Sequence, residues 1–392
     1  MTLLNKLKRL DWTILFILLL FMIAGTLIIH SATVDSPLLQ NKKLPEKNVM
    51  FFGLGFIMMI GASLINYRYL MKYSWLLYGF TILLLIGIYP FGTPLNNALG
   101  WYDLKVATFQ PAELAKVVVI VTIAAFLVKR QGASLTFLRD VVPMALIGGI
   151  PFAIIMSYPD LGNAVILLVV MLGLYWVGNI KLKHVLIGVT SIALVVGGFF
   201  YLFKNYHEPV AKVMTSMNGG HWVKRIDTFL NPDDQDKSQG QNYQFLNSKR
   251  AIGSGGLTGD GYLKGKMVHG NSIPYAYTDT VFAVVAEEFG FLGSAVLLMS
   301  YFVLLYRMIM IALETRELGG KYLIIGIVSF FVFQIFQHVG MLMGLMPLTG
   351  ITLPFISYGG TSLLIYLISV GLVLNVRIHQ DVTLDEEDPM AS

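Results

Sequence analysis

Three carboxylates lie at and within one apolar stretch, "YAYTDTVFAVVAEEFG", at residues 275–290. A positioned carboxylate can remove a proton from a hydroxyl group, and an acidic residue kept at membrane depth indicates function. As one helix capped by Thr278, the stretch places Asp279 at the outer interface and Glu287 about 12 Å deeper, on a nearby face. Glu288 then points towards a neighbouring helix. A purely structural role for Asp279 in the helix cap is the alternative.

Two other segments carry charges at spacings that can form a site. In "TFQPAELAKVVVIV", residues 108–121, Glu113 and Lys116 lie three apart on one helix face and can pair. They predict either a charged pair beside a polar cavity or a helix start with a snorkelling lysine. Asp160, in "PDLGNA", is either a turn residue at the outer surface or a member of the site.

A glycine-rich segment, "SKRAIGSGGLTGDGYLKGKMVHGN", covers residues 248–271. It matches neither GxGxxG nor the P-loop pattern, so we expect no nucleotide site. Its glycines would let backbone N–H groups approach an anion, and Lys249, Arg250, Lys264 and Lys266 add positive charge. The segment therefore predicts a site for a phosphate-bearing lipid headgroup at the outer leaflet.

An uncharged segment rich in proline and glycine, "GLMPLTGITLPFISYGGTS", covers residues 344–362. Non-helical backbone is tolerated at membrane depth only where it is buried in protein or lines a cavity. The segment is either a plain interhelical loop or a cavity wall, and Ser357 and Tyr358 are its candidate site residues.

Composition indicates a polytopic membrane protein, because 56% of the 392 residues are hydrophobic and only 13% are charged. The absence of cysteine excludes disulfides, thiolate metal ligands and a cysteine nucleophile. The histidines show no zinc-site spacing. Basic residues at cytoplasmic helix ends account for the net charge of +5 without nucleic acid.

The predicted fold is all-α, with about ten transmembrane helices in one membrane domain, residues 1–378. The N-terminal apolar run lacks a small-residue cleavage site and is interpreted as a retained first span. Ten apolar segments are long enough to cross a bilayer: 12–31, 49–66, 73–91, 111–128, 141–157, 162–179, 184–203, 279–306, 322–344 and 358–376.

The distribution of basic residues predicts the orientation of this bundle. The N-terminus and the loops on its side hold fourteen Lys and Arg residues, whereas the short opposite loops hold four. By the positive-inside rule both termini are cytoplasmic. One large extracytoplasmic loop, about 204–278, and an acidic cytoplasmic tail, 379–392, complete the prediction.

Five stretches together resemble the SEDS family of RodA-like and FtsW-like proteins: "NNALGWYDLKVATFQPAELAK", "PDLG", "AIGSGGLTGDG", "TDTVFAVVAEEFG" and "GLMPLTGITLPFISYGGTS". The RodA branch is favoured, although Gly100 and Tyr277 stand where relatives usually carry Arg and His. The resemblance implies a peptidoglycan glycosyltransferase that polymerises lipid II at the outer face of the bacterial cytoplasmic membrane. It also implies a class B penicillin-binding protein as partner, Asp279 as the essential acid, and Glu113 and Lys116 beside a central cavity.

Such a reaction needs one base, because the lipid diphosphate is already a good leaving group. We expect Asp279 to remove the proton of the attacking sugar hydroxyl, with Glu287 and Glu288 supporting the cavity. A divalent cation, Mg²⁺ or Mn²⁺, or the basic residues of the loop would stabilise the departing charge. A lipid II flippase and a non-catalytic scaffold for a transpeptidase are the alternatives. A role in cell elongation, division or sporulation stays open.

Overall fold

Helices dominate the computed structural model, which describes residues 9–95, 98–104, 108–158, 160–216, 223, 226, 241–270 and 272–380. In chain order they are α1 (Trp12–Thr33), α2 (Pro37–Gln40), α3 (Leu44–Leu64), α4 (Tyr67–Lys72), α5 (Ser74–Phe91), α6 (Pro111–Val128), α7 (Val142–Ser157, preceded by a π-helical turn at Phe137–Val141), α8 (Leu161–Val177), α9 (Leu182–Asn205), α10 (His207–Ser216), α11 (Gln241–Ser254), α12 (Lys266–His269), α13 (Val281–Glu314), α14 (Leu318–Met343) and α15 (Gly360–His379).

Each of the ten predicted spans overlaps one of these helices. Within the described residues, eight are long and apolar enough to cross a membrane: α1, α3, α5, α6, α7 with its π-helical turn, α13, α14 and α15. The sixth predicted span is the shorter apolar helix α8, and the seventh corresponds to α9. The helical fold class is confirmed, while the count of ten spans and the sidedness of the termini stay predictions.

Three helices form the centre of the bundle. In α6 and α15, 78% of the apolar window is buried inside the protein, and in α14 the share is 72%. In the other spanning helices only 22–39% of the apolar window is buried, and large apolar side chains lie on the outside of the bundle. Polar side chains of α6, α14 and α15 that point inwards must therefore find partners within the protein.

Charged side chains tie the helix ends together at the end of the bundle that holds the N-terminus of α1. Asp11 caps α1 by accepting from the backbone N–H groups of Thr13 and Ile14. Its carboxylate also accepts from Arg307 of α13 and Arg377 of α15. Burial raises the pKa of Asp11, but the Arg307 hydrogen bond, the Ile14 N–H and the Arg377 charge outweigh it and leave the pKa below its usual value.

A small antiparallel sheet, which the sequence-based fold class omitted, precedes α6. Its strands are β1 (Thr93–Leu95), β2 (Ala98–Asp103) and β3 (Thr108–Phe109), in the order β1-β2-β3. Tyr102 of β2 donates from its hydroxyl to the Leu84 carbonyl of α5 at 2.7 Å. The sheet thus fixes the chain at the entrance to α6, which carries Glu113 and Lys116.

The predicted eighth span, 279–306, differs from the structure at both ends and in the middle. Helix α13 begins at Val281 and continues to Glu314. It is interrupted at Gly290, whose φ of 64° and ψ of −159° are not helical. A residue with a Cβ is rarely tolerated at positive φ, so glycine permits the break. Glu287 and Glu288 therefore lie immediately before a kink.

Candidate active site

Lys116 is the centre of a buried polar network. Its side chain is fully buried, which rules out the interpretation as a snorkelling lysine. The ammonium lies 2.9 Å from the Glu113 carboxylate and donates to Asn163 Oδ1 at 2.8 Å and to Gln334 Oε1 at 3.1 Å. An ammonium has three donors, and three acceptors surround it here. The predicted Glu113–Lys116 pair is present, and its charge is compensated inside the bundle.

Asp160 extends this network towards the start of α8. Its carboxylate caps the helix by accepting from the Asn163 backbone N–H at 3.1 Å. The other oxygen accepts from the Asn163 side chain at 2.8 Å and from Gln110 Nε2 at 2.9 Å. Asp160 therefore orients the amide whose oxygen binds Lys116. Asp160 therefore has both roles that the sequence left as alternatives: it is a turn residue that caps α8, and it belongs to the polar network around Lys116.

The segment 344–359 is irregular, and its residues 351–357 are buried apart from the half-buried Thr352, as the rule for non-helical backbone at membrane depth predicts. Side chains of α14 bind its carbonyl groups: Gln334 donates to Thr352 O at 3.1 Å, and His338 Nδ1 lies 2.8 Å from Ile351 O. Tyr301 of α13 donates to Pro354 O. The segment is therefore held on several sides rather than being a free loop.

Asp279 lies beside this segment and outside the helix. It is half-buried, and a Cβ placed on Gly350 would lie 3.4 Å from Asp279 Oδ2. The predicted cap at Thr278 is wrong, because the helix begins at Val281 and Thr280 occupies the N-cap position. The carbonyls of Tyr277 and Thr278 accept instead from Tyr358 N and from the Ser357 hydroxyl. These carbonyls are thus bound by the 344–359 segment. The helical spacing used to relate Asp279 to Glu287 and Glu288 consequently does not apply.

Two tyrosines pack together beside the peptide that precedes the aspartate. Tyr277 and Tyr358 pack edge to face with ring centroids 6.3 Å apart. Burial raises the pKa of Tyr277, and the charges of Tyr275 and Asp279 raise it further. Burial also raises the pKa of Tyr358. Both hydroxyls stay protonated at neutral pH and can donate hydrogen bonds.

Glu287 binds the loop that precedes α13 rather than lining a cavity. Its carboxylate is buried and accepts from the backbone N–H groups of Met267 at 2.6 Å and Val268 at 3.1 Å. These donors belong to the short helix α12, whose N-terminus favours a negative charge. Glu287 therefore anchors α12 to α13.

Glu288 faces a neighbouring helix, as its position in the predicted helix suggested. One of its oxygens accepts from the Ser31 hydroxyl of α1 and lies 3.2 Å from His269 Nε2. The other ring nitrogen of His269 contacts Asp35. Glu288 thus joins α13, α1 and the loop through one buried carboxylate.

The glycine-rich segment folds differently from the predicted anion loop. Residues up to Ser254 belong to α11, and the following turns pack on the kink of α13. The N–H of Gly261 donates to Glu288 O at 2.9 Å, so this donor is not available to an anion. A Cβ on Gly259 would lie 2.2 Å from the same oxygen. Glycine is needed at 259 for close approach to the helix backbone.

The four basic candidates of this segment lie at the protein surface. Lys249, Arg250, Lys264 and Lys266 are all exposed. Lys249 lies 5.9 Å from the centre of the Phe245 ring, and Arg250 donates weakly to Asn247 at 3.4 Å. They supply positive charge without a shared backbone cradle.

A metal site made by the protein alone is not assembled in the part of the chain that the structure describes. No three His, Asp or Glu side chains converge there in a way that could hold an ion. The divalent cation expected from the reaction stays a prediction, and no step is assigned to it.

Sequence reasoning missed several residues of the central network. Gln334 and His338 lie four apart on α14, with Gln337 beside them, in an otherwise apolar helix. That spacing places two polar side chains on one face and was the available signal. Asn163 follows Asp160 by three residues and could have been identified as its capping partner.

Comparison with known proteins agrees with the architecture. A family model of FtsW, RodA and SpoVE, described as "Cell cycle protein", matches residues 11–382. Stage V sporulation protein E of Bacillus subtilis is 32% identical over 372 residues, which cover 93% of this chain and 96% of that protein. Peptidoglycan glycosyltransferase MrdB of Escherichia coli is 30% identical over 375 residues, with 95% and 94% covered.

Solved structures show the same fold. The rod shape determining protein RodA of Thermus thermophilus is 26% identical, with a TM-score of 0.68 over 95% of this chain and 98% of that chain. A chain from a structure titled "Structural coordination of polymerization and crosslinking by a peptidoglycan synthase complex" has a TM-score of 0.77 at 27% identity, with the same coverage. The chain therefore belongs to the SEDS family of FtsW, RodA and SpoVE proteins, and it is a multi-pass protein of the cytoplasmic membrane.

Proposed function

We propose that this protein is a peptidoglycan glycosyltransferase that polymerises lipid II at the outer face of the cytoplasmic membrane, with Asp279 as general base. Relatives named as glycosyltransferases match nearly the whole chain. The chain thereby supports cell elongation, division or sporulation, since relatives named for sporulation and as MrdB or FtsW match at 30–34% identity.

The observation that carries the proposal is the setting of Asp279. Glu113, Glu287 and Glu288 are buried inside the protein. Asp279 is half-buried, precedes a helix, and lies close to the Gly350 backbone. A general base must be held in position by the protein and must also be able to contact a hydroxyl of the substrate. A half-buried carboxylate beside the 344–359 segment, the wall of the site, meets both requirements.

In the proposed reaction the acceptor sugar hydroxyl attacks the anomeric carbon of the lipid-linked donor. A carbon–oxygen bond forms, the bond to the diphosphate breaks, and Asp279 takes the hydroxyl proton, as the base does in inverting glycosidases. The diphosphate leaves with the bonding electron pair. The exposed Lys264 and Lys266 are candidates to stabilise its charge. Lys116 is enclosed by protein acceptors and shapes the wall instead.

The deciding experiment is polymerisation of labelled lipid II by the purified protein in detergent, where flipping has no meaning. We expect glycan strands from the wild type and a loss of about 10²–10⁴-fold for Asp279→Asn, which cannot accept the proton. Asp260→Asn, at an exposed carboxylate on the same loop, is the matched control and should retain activity.

Each alternative has its own outcome in this assay. Near wild-type strands from Asp279→Asn would exclude Asp279 as the base. Absence of strands from wild-type protein that still moves lipid II across vesicles would favour the flippase. Absence of both activities would favour the scaffold.

The partner we propose is a class B penicillin-binding protein that crosslinks the new strands. One similar solved chain comes from a structure whose title couples polymerisation with crosslinking. The reaction also requires the 204–278 loop to face the outside, in agreement with the basic-residue distribution.

A further inference from the structure

We propose that Ser357 is a positioning residue that sets the direction of the Asp279 side chain, an inference that rests on the proposed function. The hydroxyl of Ser357 donates to Thr278 O at 2.6 Å and accepts from Leu353 N at 2.8 Å. The residue is 4% exposed, so water does not replace these bonds readily.

The bond to Thr278 acts directly on the aspartate. The Thr278 carbonyl and the Asp279 N–H belong to one planar peptide unit, so holding the oxygen holds the whole plane. The next carbonyl upstream, Tyr277 O, accepts from Tyr358 N at 2.9 Å. Two consecutive peptide planes before Asp279 are therefore fastened to two consecutive residues, 357 and 358.

Local bonds near Asp279 join Thr278 N to Tyr275 O and the Thr280 hydroxyl to Pro274 O, but within the described residues neither holds the Thr278 carbonyl. Helix α13 begins at Val281, and the preceding turns contain Tyr275 with a φ of 54°. The first helical turn there is closed by Ala283 N donating to Thr280 O at 2.9 Å, after the aspartate. The Ser357 hydroxyl therefore supplies a tertiary restraint where the helix has none.

The same segment also limits the carboxylate from its other end. Gly350 has a φ of 69°, and a Cβ added there would lie 3.4 Å from Asp279 Oδ2, within contact distance of the carboxylate. Between these ends, Thr352 O is held by Gln334, which also binds Lys116. The wall that positions Asp279 is thus braced by the central network.

The test compares steady-state polymerisation by Ser357→Ala, Ser357→Thr and Ser369→Ala in detergent. Ser369 is a matched control, since it is buried in α15 and, among the described residues, its hydroxyl bonds only to Ile365 O of its own helix at 2.7 Å. Displacing a catalytic group by about 1 Å can cost about 10²-fold. We expect Ser357→Ala to lower kcat about 10-fold to 100-fold with little change in KM.

Rescue separates positioning from general stability. Ser357→Thr keeps a hydroxyl and should recover most of kcat, and Ser369→Ala should match the wild type in kcat and in melting temperature. The proposal is overturned by a Ser357→Ala kcat equal to that of Ser369→Ala, by a Thr variant as impaired as the Ala variant, or by a loss that follows the unfolded fraction. If Asp279→Asn is itself active, the proposed base has failed; if it is inactive while Ser357→Ala is unaffected, only the positioning role has failed.

Discussion

Buried charge is handled differently in two regions of this molecule, the Lys116 network in the centre and the Glu287–Glu288 region at the α13 kink. In the centre an ammonium meets a carboxylate and two amide oxygens. At the kink, Glu287 meets two backbone N–H groups, and Glu288 meets a hydroxyl and a histidine. The centre joins helices to one another, whereas the kink joins a loop to the helices α13 and α1.

The burial of these charges bears on the choice of Asp279 as the candidate base. The four charged side chains of the two regions are buried, whereas Asp279 is half-buried. A charge in the centre needs its opposite charge, because either one alone would be unpaired inside the membrane. A carboxylate at the kink needs donors, and the docked loop provides them. The carboxylates of both regions bind groups of the protein itself. Asp279 lies beside the 344–359 segment, which the central network braces through Gln334.

The largest expected effect concerns the centre. Glu113→Gln and Lys116→Met should each lower the free energy of unfolding by about 3–5 kcal/mol, since each leaves the other charge buried and unpaired. The double variant should lose less free energy of unfolding than the sum of the losses of the two single variants. Unfolding in detergent, analysed as a double-mutant cycle, measures this coupling.

The pair of Arg68 and Glu317 is the matched control, because these side chains are 33% and 29% exposed. Their coupling should be about 0–1 kcal/mol. If the losses in free energy of unfolding at Glu113 and Lys116 were additive, the two charges would not be coupled. The central region would then not differ from the kink in needing an opposite charge.

A middle-sized effect is expected for loop docking. Gly259→Ala would place a Cβ 2.2 Å from Glu288 O at a φ of 79°. The left-handed backbone alone should cost about 1–2 kcal/mol, and protease sensitivity of the loop should rise. Gly253→Ala is the control, since no atom lies within 4 Å of its Cβ. Equal behaviour of the two variants would mean that the loop does not dock on the kink.

The smallest effect is expected at the edge of the kink region. Asp35 contacts His269 but is 52% exposed, so Asp35→Asn should change the free energy of unfolding by less than about 1 kcal/mol. Glu288→Gln, on the buried side of the same histidine, should cost about 1–3 kcal/mol. Melting temperatures of the two variants in one detergent provide the measurement. A larger loss of stability for Asp35→Asn than for Glu288→Gln would mean that the exposed Asp35 contact, not the buried Glu288 contact, anchors His269.

Sequence reasoning succeeded where the determining interaction is local. The Glu113–Lys116 pair follows from a spacing of three on a helix, and the irregular 344–359 segment follows from its prolines and glycines. It failed at Thr278, where the helix begins only at Val281 and the Thr278 carbonyl accepts from a hydroxyl 79 residues away. It also misjudged the glycines of the loop, since their need for space is visible only against the backbone of α13.

The sequence by itself determined the membrane-spanning class, the approximate helices and the family, because the cost of dehydrating a segment depends on that segment's own residues. It also singled out Asp279 through the family motif. Only the tertiary structure decided which carboxylates are committed to structure and what holds Asp279 in place. Those outcomes depend on hydrogen-bond partners that are distant in the chain, such as Gln334 for Lys116 and Ser357 for Thr278. Folding alone brings such groups within reach, and burial then makes their pairing obligatory.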